Sequence, residues 1–334
     1  MNYIGSKQKL SNFIKTTVYT VAGEDLSGKI FCDIFAGTGV VGRSFKAEAG
    51  KVMANDCEYY SFVLNKNYIG NHLEIEDKEK YINALNNLPL IDNGFIYKNY
   101  CFGSRSGRQY FSDENGKKID TIRKKIETWK NENKISSNLY FFLLASLLES
   151  ADNVANTASV YGAYLKHLKK SAQKELILQA ATFELTKNKH EVFCADSNVL
   201  ISQIEGDILY LDPPYNARQY GANYHLLNTI AHYDNFIPKG KTGMRKYEKS
   251  RYCSAATVAS EFENLIKNAN FQYIFLSYNN EGLMSAETVK NIMQKYGKYD
   301  LKTIDYQRFK SDKTENRKHK AAGTKEYLHI LEKN

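Results

Sequence analysis

Short apolar runs bounded by turn residues recur near both ends of this chain, with a longer helical pattern between them. Residues 1–15 carry a Gly-Ser-Lys turn and then a helix-like segment. Lys29 to Phe35 contains Ile30-Phe31-Cys32 and Ile34-Phe35 and reads as a strand. Ala36-Gly37-Thr38-Gly39 is a tight turn, Val40 to Ala47 continues as a helix, and Lys51 to Ala54 is a second strand ending at Asn55-Asp56. Strand, glycine turn, helix and strand form the first half of a doubly wound α/β sheet. Strands return at Glu191 to Ala195 and Asp207 to Leu211. Ser260 to Ala269 reads as a helix, Gln272 to Ser277 as a strand, Ala286 to Tyr296 as a helix, and Tyr327 to Leu331 as the closing strand.

From Cys57 to His190 the pattern is mainly helical. Ile119, Ile122, Ile126 and Trp129 recur at helical spacing with Lys and Arg between them. Leu139 to Leu148 predicts a buried helix, Ser171 to Thr186 another, and the glycine-containing stretch Tyr100 to Gly116 a loop. This block is too long for one crossover. It predicts an inserted helical subdomain, 57–189, in a catalytic domain formed by 1–56 and 190–334. A loop-rich region is expected at 216–256. No repeat or low-complexity tract is seen.

The run Ile208-Leu209-Tyr210-Leu211 is followed directly by Asp212-Pro213-Pro214-Tyr215. In an open α/β sheet the carboxyl end of a strand is where ligands bind. Two prolines fix φ, lack N–H groups and keep the turn from relaxing into a helix, while their carbonyls stay free as acceptors. The Asp212 carboxylate and the Pro213 carbonyl can accept both hydrogens of one planar amine, and the Tyr215 ring offers a stacking face. This is a site for the exocyclic amine of a flat base.

The segment Asp33-Ile34-Phe35-Ala36-Gly37-Thr38-Gly39 supplies a glycine turn through which a backbone can approach a nucleotide-like cofactor. By itself the partial G-x-G-x-x-G pattern, with Gly42 at the third place, is a weak signal. Asp56 is placed either to accept from both ribose hydroxyls or to cap a helix. Gly23 to Lys29 matches a phosphate-binding loop until Ile30 stands where Ser or Thr is required, and it precedes a strand; Gly240-Lys241-Thr242 lacks the upstream glycine. No His or Cys pair has metal spacing, so no metal is expected.

Composition adds a direction. Net charge is +9, a mild basic excess that points weakly to an anionic partner, nucleic acid being the common one. The excess is local: Lys239 to Arg251 holds six Lys and Arg against one Glu, with Tyr247 and Tyr252 nearby. Lys239, Lys241, Arg245, Lys246, Lys249 and Arg251 are candidate phosphate and base contacts; a solvated loop is the alternative. Arg105 and Arg108 in Ser104-Arg105-Ser106-Gly107-Arg108 form a second candidate. Five cysteines, an odd number without C-x-x-C, read as reduced thiols of a cytosolic protein. The opening Met1-Asn2-Tyr3 is not that of a signal peptide, and Leu139 to Leu148 is too short to span a bilayer; no membrane association is expected.

With these motifs together, the chain resembles the D12 class of S-adenosylmethionine-dependent DNA adenine-N6 methyltransferases, which includes Dam-like and restriction-associated enzymes. Asn2-Tyr3-Ile4-Gly5-Ser6-Lys7-Gln8-Lys9-Leu10 resembles the family's N-terminal motif, Asp33 to Gly39 its cofactor loop, Asn55-Asp56 its ribose-binding acid and Asp212 to Tyr215 its catalytic motif. The order is that of the α arrangement. Arg108-Gln109-Tyr110-Phe111-Ser112, Ile119-Asp120-Thr121-Ile122-Arg123, Asn156-Thr157 with Tyr161-Gly162-Ala163, and Asn316-Arg317-Lys318 also resemble family segments.

The resemblance implies a Rossmann-like class I methyltransferase sheet with an inserted helical DNA-recognition subdomain. It implies S-adenosylmethionine as cofactor, held by Tyr3, Lys7, Asp33, Phe35, Ala36, Gly37, Thr38, Gly39, Asp56 and Asp196. Asp196 is the residue expected to face the cofactor's adenine amine, with a turn cap as its alternative. Asp212, Pro213, Pro214 and Tyr215 are the implied catalytic residues, acting on adenine flipped out of duplex DNA. A cognate restriction endonuclease and a bacterial, nucleoid-associated cytoplasmic location go with that reading. An RNA methyltransferase and an N4-cytosine methyltransferase use the same amine geometry. A non-catalytic nucleic-acid-binding module would leave the cofactor loop and the catalytic lip unexplained.

Overall fold

The computed structural model describes residues 7–306 and 324–334. A 3-10 turn, Lys7–Leu10, leads into α1 (Ser11–Ala22), β1 (Ile30–Asp33), α2 (Val40–Phe45) and β2 (Lys51–Asn55). Next come α3 (Tyr59–Asn65), α4 (Lys78–Asn86), α5 (Phe95–Tyr100), α6 (Asp113–Asn131) and α7 (Ser137–Asn153). β3 (Glu191–Phe193), α8 (Ser197–Leu200), β4 (Glu205–Leu211), α9 (Tyr220–Asn223) and α10 (His225–His232) follow. The remaining elements are α11 (Val258–Asn268), β5 (Asn270–Asn279), α12 (Ala286–Met293), β6 (Gly297–Tyr306) and β7 (Thr324–Lys333).

The strands make one sheet in the order β3-β2-β1-β4-β5-β7-β6. β3, β2, β1, β4 and β5 run parallel, and β7 pairs antiparallel with both β5 and β6. Parallel strands covered on both faces are apolar throughout, and Ile208 to Leu211 are all buried. One face carries Phe31, Val52, Tyr210 and Phe275 into a core shared with Ile122, Leu143 and Leu227 of the helices. The other face packs Leu209, Ile274 and Leu276 against Phe262 of α11 and Val289 of α12. Chain connections leave β1 and β4 toward opposite edges of the sheet. The carboxyl ends of these two neighbours therefore border the crevice where such sheets bind ligands.

Four expectations are corrected. Ser171 to Thr186 is not a helix but turns followed by extended chain. Leu176 and Leu178 are buried while Ile177 between them is exposed, a period of two. Its backbone is held by side chains: Asn115 Oδ1 accepts from the Leu176 amide at 2.8 Å, Asn86 Oδ1 from Leu178 at 2.8 Å, and Ser146 Oγ from Ala181 at 2.9 Å. The loop expected up to Gly116 ends earlier, because Ser112 caps α6 by accepting from the Asn115 amide. The stretch 216–256 contains α10, whose Leu226, Leu227, Ile230 and Ala231 are buried. Finally, β6 was not anticipated. It is an edge strand with exposed Lys298, Asp300 and Lys302, charged as edges are, so no apolar run announces it.

Asn115 ties α6 to the extended segment, its Nδ2 also donating to the Lys174 carbonyl at 2.9 Å. Asn115→Ala removes both bonds from a buried site and is expected to lower unfolding free energy by about 2 to 3 kcal/mol, read from urea denaturation. A loss within experimental error would show that the segment is held by its leucines alone.

Candidate active site

A cleft of about 620 Å³ opens at the carboxyl ends of the parallel strands, lined by Lys7, Asp33 to Thr38, Asn55 to Tyr59, Ala195 to Ser197, Asp212, Pro214, Tyr220 and Lys246 to Tyr252, among others. Its floor is the glycine turn. Gly37 and Gly39 have φ of +51° and +74°, values that favour glycine. A Cβ on Gly39 would lie 2.3 Å from Asn65 Oδ1. Asn65 holds this turn, its Nδ2 donating to the Gly37 carbonyl at 3.0 Å. Asp56 closes the other side, accepting from the Gly37 amide at 2.8 Å and the Glu58 amide at 2.9 Å. Asn55 locks three strand ends, donating to the Ile34 and Ala195 carbonyls and accepting from the Ala195 amide.

Asp212 stands just past β4, and its carboxylate meets the Lys7 ammonium at 3.1 Å. Lys7 also lies 5.8 Å from the centre of the Tyr215 ring. The Tyr215 carbonyl accepts from the Leu283 amide at 3.0 Å, which fixes the far side of the proline lip. Burial pushes the Asp212 carboxyl up and the Lys7 charge opposes that push. Burial alone would lower the Lys7 ammonium, but the carboxylates of Asp212 and Glu326 reverse the effect and raise it.

Asp33, on the neighbouring strand, is raised to about 8 by burial and by the charge of Asp212. Its Oδ2 accepts from the Gly42 amide at 3.2 Å, and its Oδ1 is buried with no hydrogen-bond partner. Burial lifts Asp56 to about 6 and Glu58 to about 7. This set suits a ligand carrying hydroxyl and ammonium donors. An S-adenosyl nucleoside has both, and the unpartnered Asp33 oxygen beside the glycine turn is a place for one of them.

A family model described as D12 class N6 adenine-specific DNA methyltransferase matches residues 3–292. The chain belongs to this family. It is 63% identical to the type II methyltransferase M.NlaIII of Neisseria lactamica, over all of this chain and 99% of that one. It is 37% identical to M.CviAII of Paramecium bursaria Chlorella virus 1, over 93% of each chain. Identity is also 37% to M.FokI of Planomicrobium okeanokoites, of which this chain spans about half (53%). As a methyltransferase of this family it has S-adenosylmethionine as its implied methyl donor. The doubly wound sheet with an antiparallel β7 is the Rossmann-like methyltransferase sheet that the sequence predicted.

The structure gathers Lys7, Asp33, Phe35, Ala36, Gly37, Thr38, Asp56, Asp196, Asp212 and Pro214 around one cleft. Tyr3 and Asn316-Arg317-Lys318 lie outside the described residues. Asp196 lines the cleft while its Oδ1 caps α8, accepting from the Asn198 and Val199 amides. Among the basic candidates, Lys246, Lys249 and Arg251 line the cleft and are exposed; Arg251 pairs with Glu261 at 2.6 Å. Arg245 is bound bidentately by Asp234 at 2.9 and 3.0 Å. Arg108 gives its donors to the Lys241, Gly240 and Asn99 carbonyls, so it holds the turn that carries Lys239 and Lys241. Arg105 is exposed at the tip of its loop.

Several family-like segments of the helical block prove to be scaffold. Asp120 accepts from the Ile96 and Tyr97 amides. Arg123 donates to the Ile230 and Ala231 carbonyls at the end of α10. Sequence reasoning missed Glu58, Asn228 and Tyr220 in the cleft wall, and Glu326 on β7. Asn228 donates to Glu58 and accepts from the Tyr60 amide at 2.9 Å, joining α10 to α3. These residues have no motif of their own: Asn228 comes with the packing of α10, Tyr220 with α9, Glu58 with the turn after β2 and Glu326 with the pairing of β7.

Folded Asp33 keeps its proton up to about pH 8, whereas an unfolded Asp releases it near pH ~4. Between those limits the folded state binds more protons, so this group's contribution to stability declines as pH rises from about 4 to about 8 and is gone above. Asp33→Asn removes the decline. Its urea midpoint is expected to gain on that of the parent protein steadily between about pH 5 and pH 8. A constant difference across that range would show that Asp33 is not the buried neutral acid described.

Proposed function

We propose that this chain transfers a methyl group from S-adenosylmethionine to N6 of an adenine flipped out of duplex DNA, as the modification enzyme of a restriction-modification pair. The observation that carries the reading is a partly buried Asp212 carboxylate, paired with Lys7, at the rim of the cleft floored by the glycine turn. Asp56 is placed for ribose hydroxyls, and Asp33, Phe35, Ala36, Gly37, Thr38 and Gly39 for the body of the cofactor. Asp196 keeps an oxygen for its adenine amine, and Lys7 with Tyr3 serves its methionine end. When bound, S-adenosylmethionine supplies an electrophilic methyl on a sulfonium.

The residues of the chain do the rest. Asp212 and the Pro213 carbonyl accept the two hydrogens of the base amine and draw its lone pair out of conjugation with the ring. Pro214 keeps the lip rigid. Tyr215 stacks on the base. Negative charge already in place where positive charge develops on nitrogen needs no reorganisation during the reaction. Lys246, Lys249 and Arg251, with Arg105, Lys239 and Lys241 further out, contact phosphates; Arg108 and Arg245 shape the loops that present them. The 57–189 block is read as the support of this DNA face. A cognate endonuclease sharing the site, and a bacterial cytoplasmic location at the nucleoid, complete the proposal. Among the described residues no helix is long and apolar enough to cross a membrane, and no cluster of His, Cys, Asp or Glu is arranged to hold a metal.

Nucleoside analysis of plasmid DNA incubated with labelled S-adenosylmethionine is expected to find the label in N6-methyladenine; label in N4-methylcytosine, or in RNA alone, overturns the reading. Asp212→Ala should slow transfer by about 100-fold or more, while Tyr215→Phe stays near the parent rate and Tyr215→Ala loses base capture, since stacking needs only the ring. Near-normal turnover of Asp212→Ala contradicts the assignment. Reversing Lys246 and Lys249 to Glu should flatten the dependence of DNA affinity on salt, and an unchanged slope would place the phosphates elsewhere.

A further inference from the structure

Glu326 is an acid on β7 that burial pushes up, while the Lys7 charge and a hydrogen bond with Asn279 oppose that push. It is 8% exposed, and its Oε2 is buried with no hydrogen-bond partner among the described residues. A buried carboxyl oxygen left in that condition is costly and calls for an explanation, a role in the reaction being one. Its location is not random. Strand register sets Asp33 beside Tyr210, Tyr210 beside Phe275, and Phe275 beside Ile330. Two and four residues along, on the same face of the sheet, come Asp212 on the lip after β4, Ser277 and Asn279 on β5, and Glu326 opposite Asn279. Asp33, Asp212 and Glu326 thus step diagonally over one face of the sheet, each about two residues further toward its carboxyl end than the last. Lys7 joins them, pairing with Asp212 at 3.1 Å and sensing Glu326 electrostatically.

The charge arithmetic of this set matters for the proposed reaction, on which the inference rests. An Asp212–Lys7 pair alone is neutral. It would offer little to an amine nitrogen that turns cationic, because the ammonium opposes what the carboxylate favours. Asp33 holds its proton to about pH 8 and adds no charge at neutrality. A second acid whose charge Lys7 senses changes the balance. We propose that Glu326 is a positioning residue, the counter-ion that takes up the Lys7 ammonium and leaves the Asp212 charge for the amine of the target base. Lys7 then moves its hydrogen bonds from Asp212 toward the unpartnered Glu326 oxygen when the base enters, and returns when it leaves.

The test is steady-state methylation by Glu326→Gln, with thermal unfolding alongside. Gln is isosteric and removes a buried charge, so the unfolding midpoint should hold or rise. The expected result is a kcat lowered about 10- to 100-fold, with KM for S-adenosylmethionine and for DNA within about twofold of the parent (a factor worth roughly 0.4 kcal/mol). Glu326→Asp, which keeps the charge, should recover most of the rate and remains readable should Gln impair folding. In a Lys7→Met background the Gln substitution should cost less than about threefold, because a counter-ion has nothing left to balance. A parent-like kcat for Glu326→Gln, or an undiminished loss in the Lys7→Met background, overturns the inference while leaving the methyltransferase reading intact. A parent protein that methylates no DNA overturns that reading and the inference with it.

Discussion

The ion pair between Lys7 and Asp212 is the contact around which the rest of the molecule is organised. Taking a carboxylate out of water is expensive unless it is paired. This fold half-buries one at the end of β4, one strand away from a fully buried acid, Asp33, and on the same sheet as a third, Glu326. The Lys7 ammonium pairs with Asp212. Asp33 holds its proton at neutrality, so the negative charge left for a reaction that makes a cation is the one that the proposed Glu326 counter-ion would free. The parallel strands supply the rigidity, because their apolar residues pack on both faces and leave only the ends free to carry polar groups.

The helices between β2 and β3 serve the same end indirectly. They share one core with the sheet. Arg123 ends α10, Asp120 starts α5, and Asn115 and Asn86 hold the extended chain before β3. What this framework delivers to the cleft is α10, with Asn228 on Glu58; Arg108 grips the turn at 239–244 that leads into the cleft wall. The basic stretch from Lys246 to Arg251 is then laid along the cleft wall, where a duplex whose base has been extruded would run.

Motifs at strand ends were the legible part of the site. Asp212 to Tyr215, Asp33 to Gly39 and Asp56 could be read because a run of apolar residues fixes where a strand stops, and the residues after it must face the ligand edge. The parallel core strands were legible for the same reason. Illegible were features whose signal lies elsewhere in the chain. Ser171 to Thr186 has a helix-like composition, yet side chains of α4, α6 and α7 claim its backbone. β6 is an edge with no fully buried position among residues 297–305, and α10 was hidden in a stretch dominated by polar residues on either side. Glu326 is an acid in a strand that reads as a plain closing element; only the register of β7, two places from β4 in the sheet, brings it to the same face as Asp212. Arg108 and Arg245 were expected to meet DNA; within the chain Arg108 also donates to three carbonyls and Arg245, which lines the cleft, pairs with Asp234, contacts that charge alone does not announce.

The decisive measurement is a crystal structure of the protein with an unreactive S-adenosylmethionine analogue and its target duplex. The analogue is expected over the glycine turn, its reactive end within about 3 to 4 Å of a base amine held by Asp212, with the extruded base on Tyr215. An analogue lodged outside this cleft, or an Asp212 that still faces Lys7 with no base against it, would contradict the proposed mechanism.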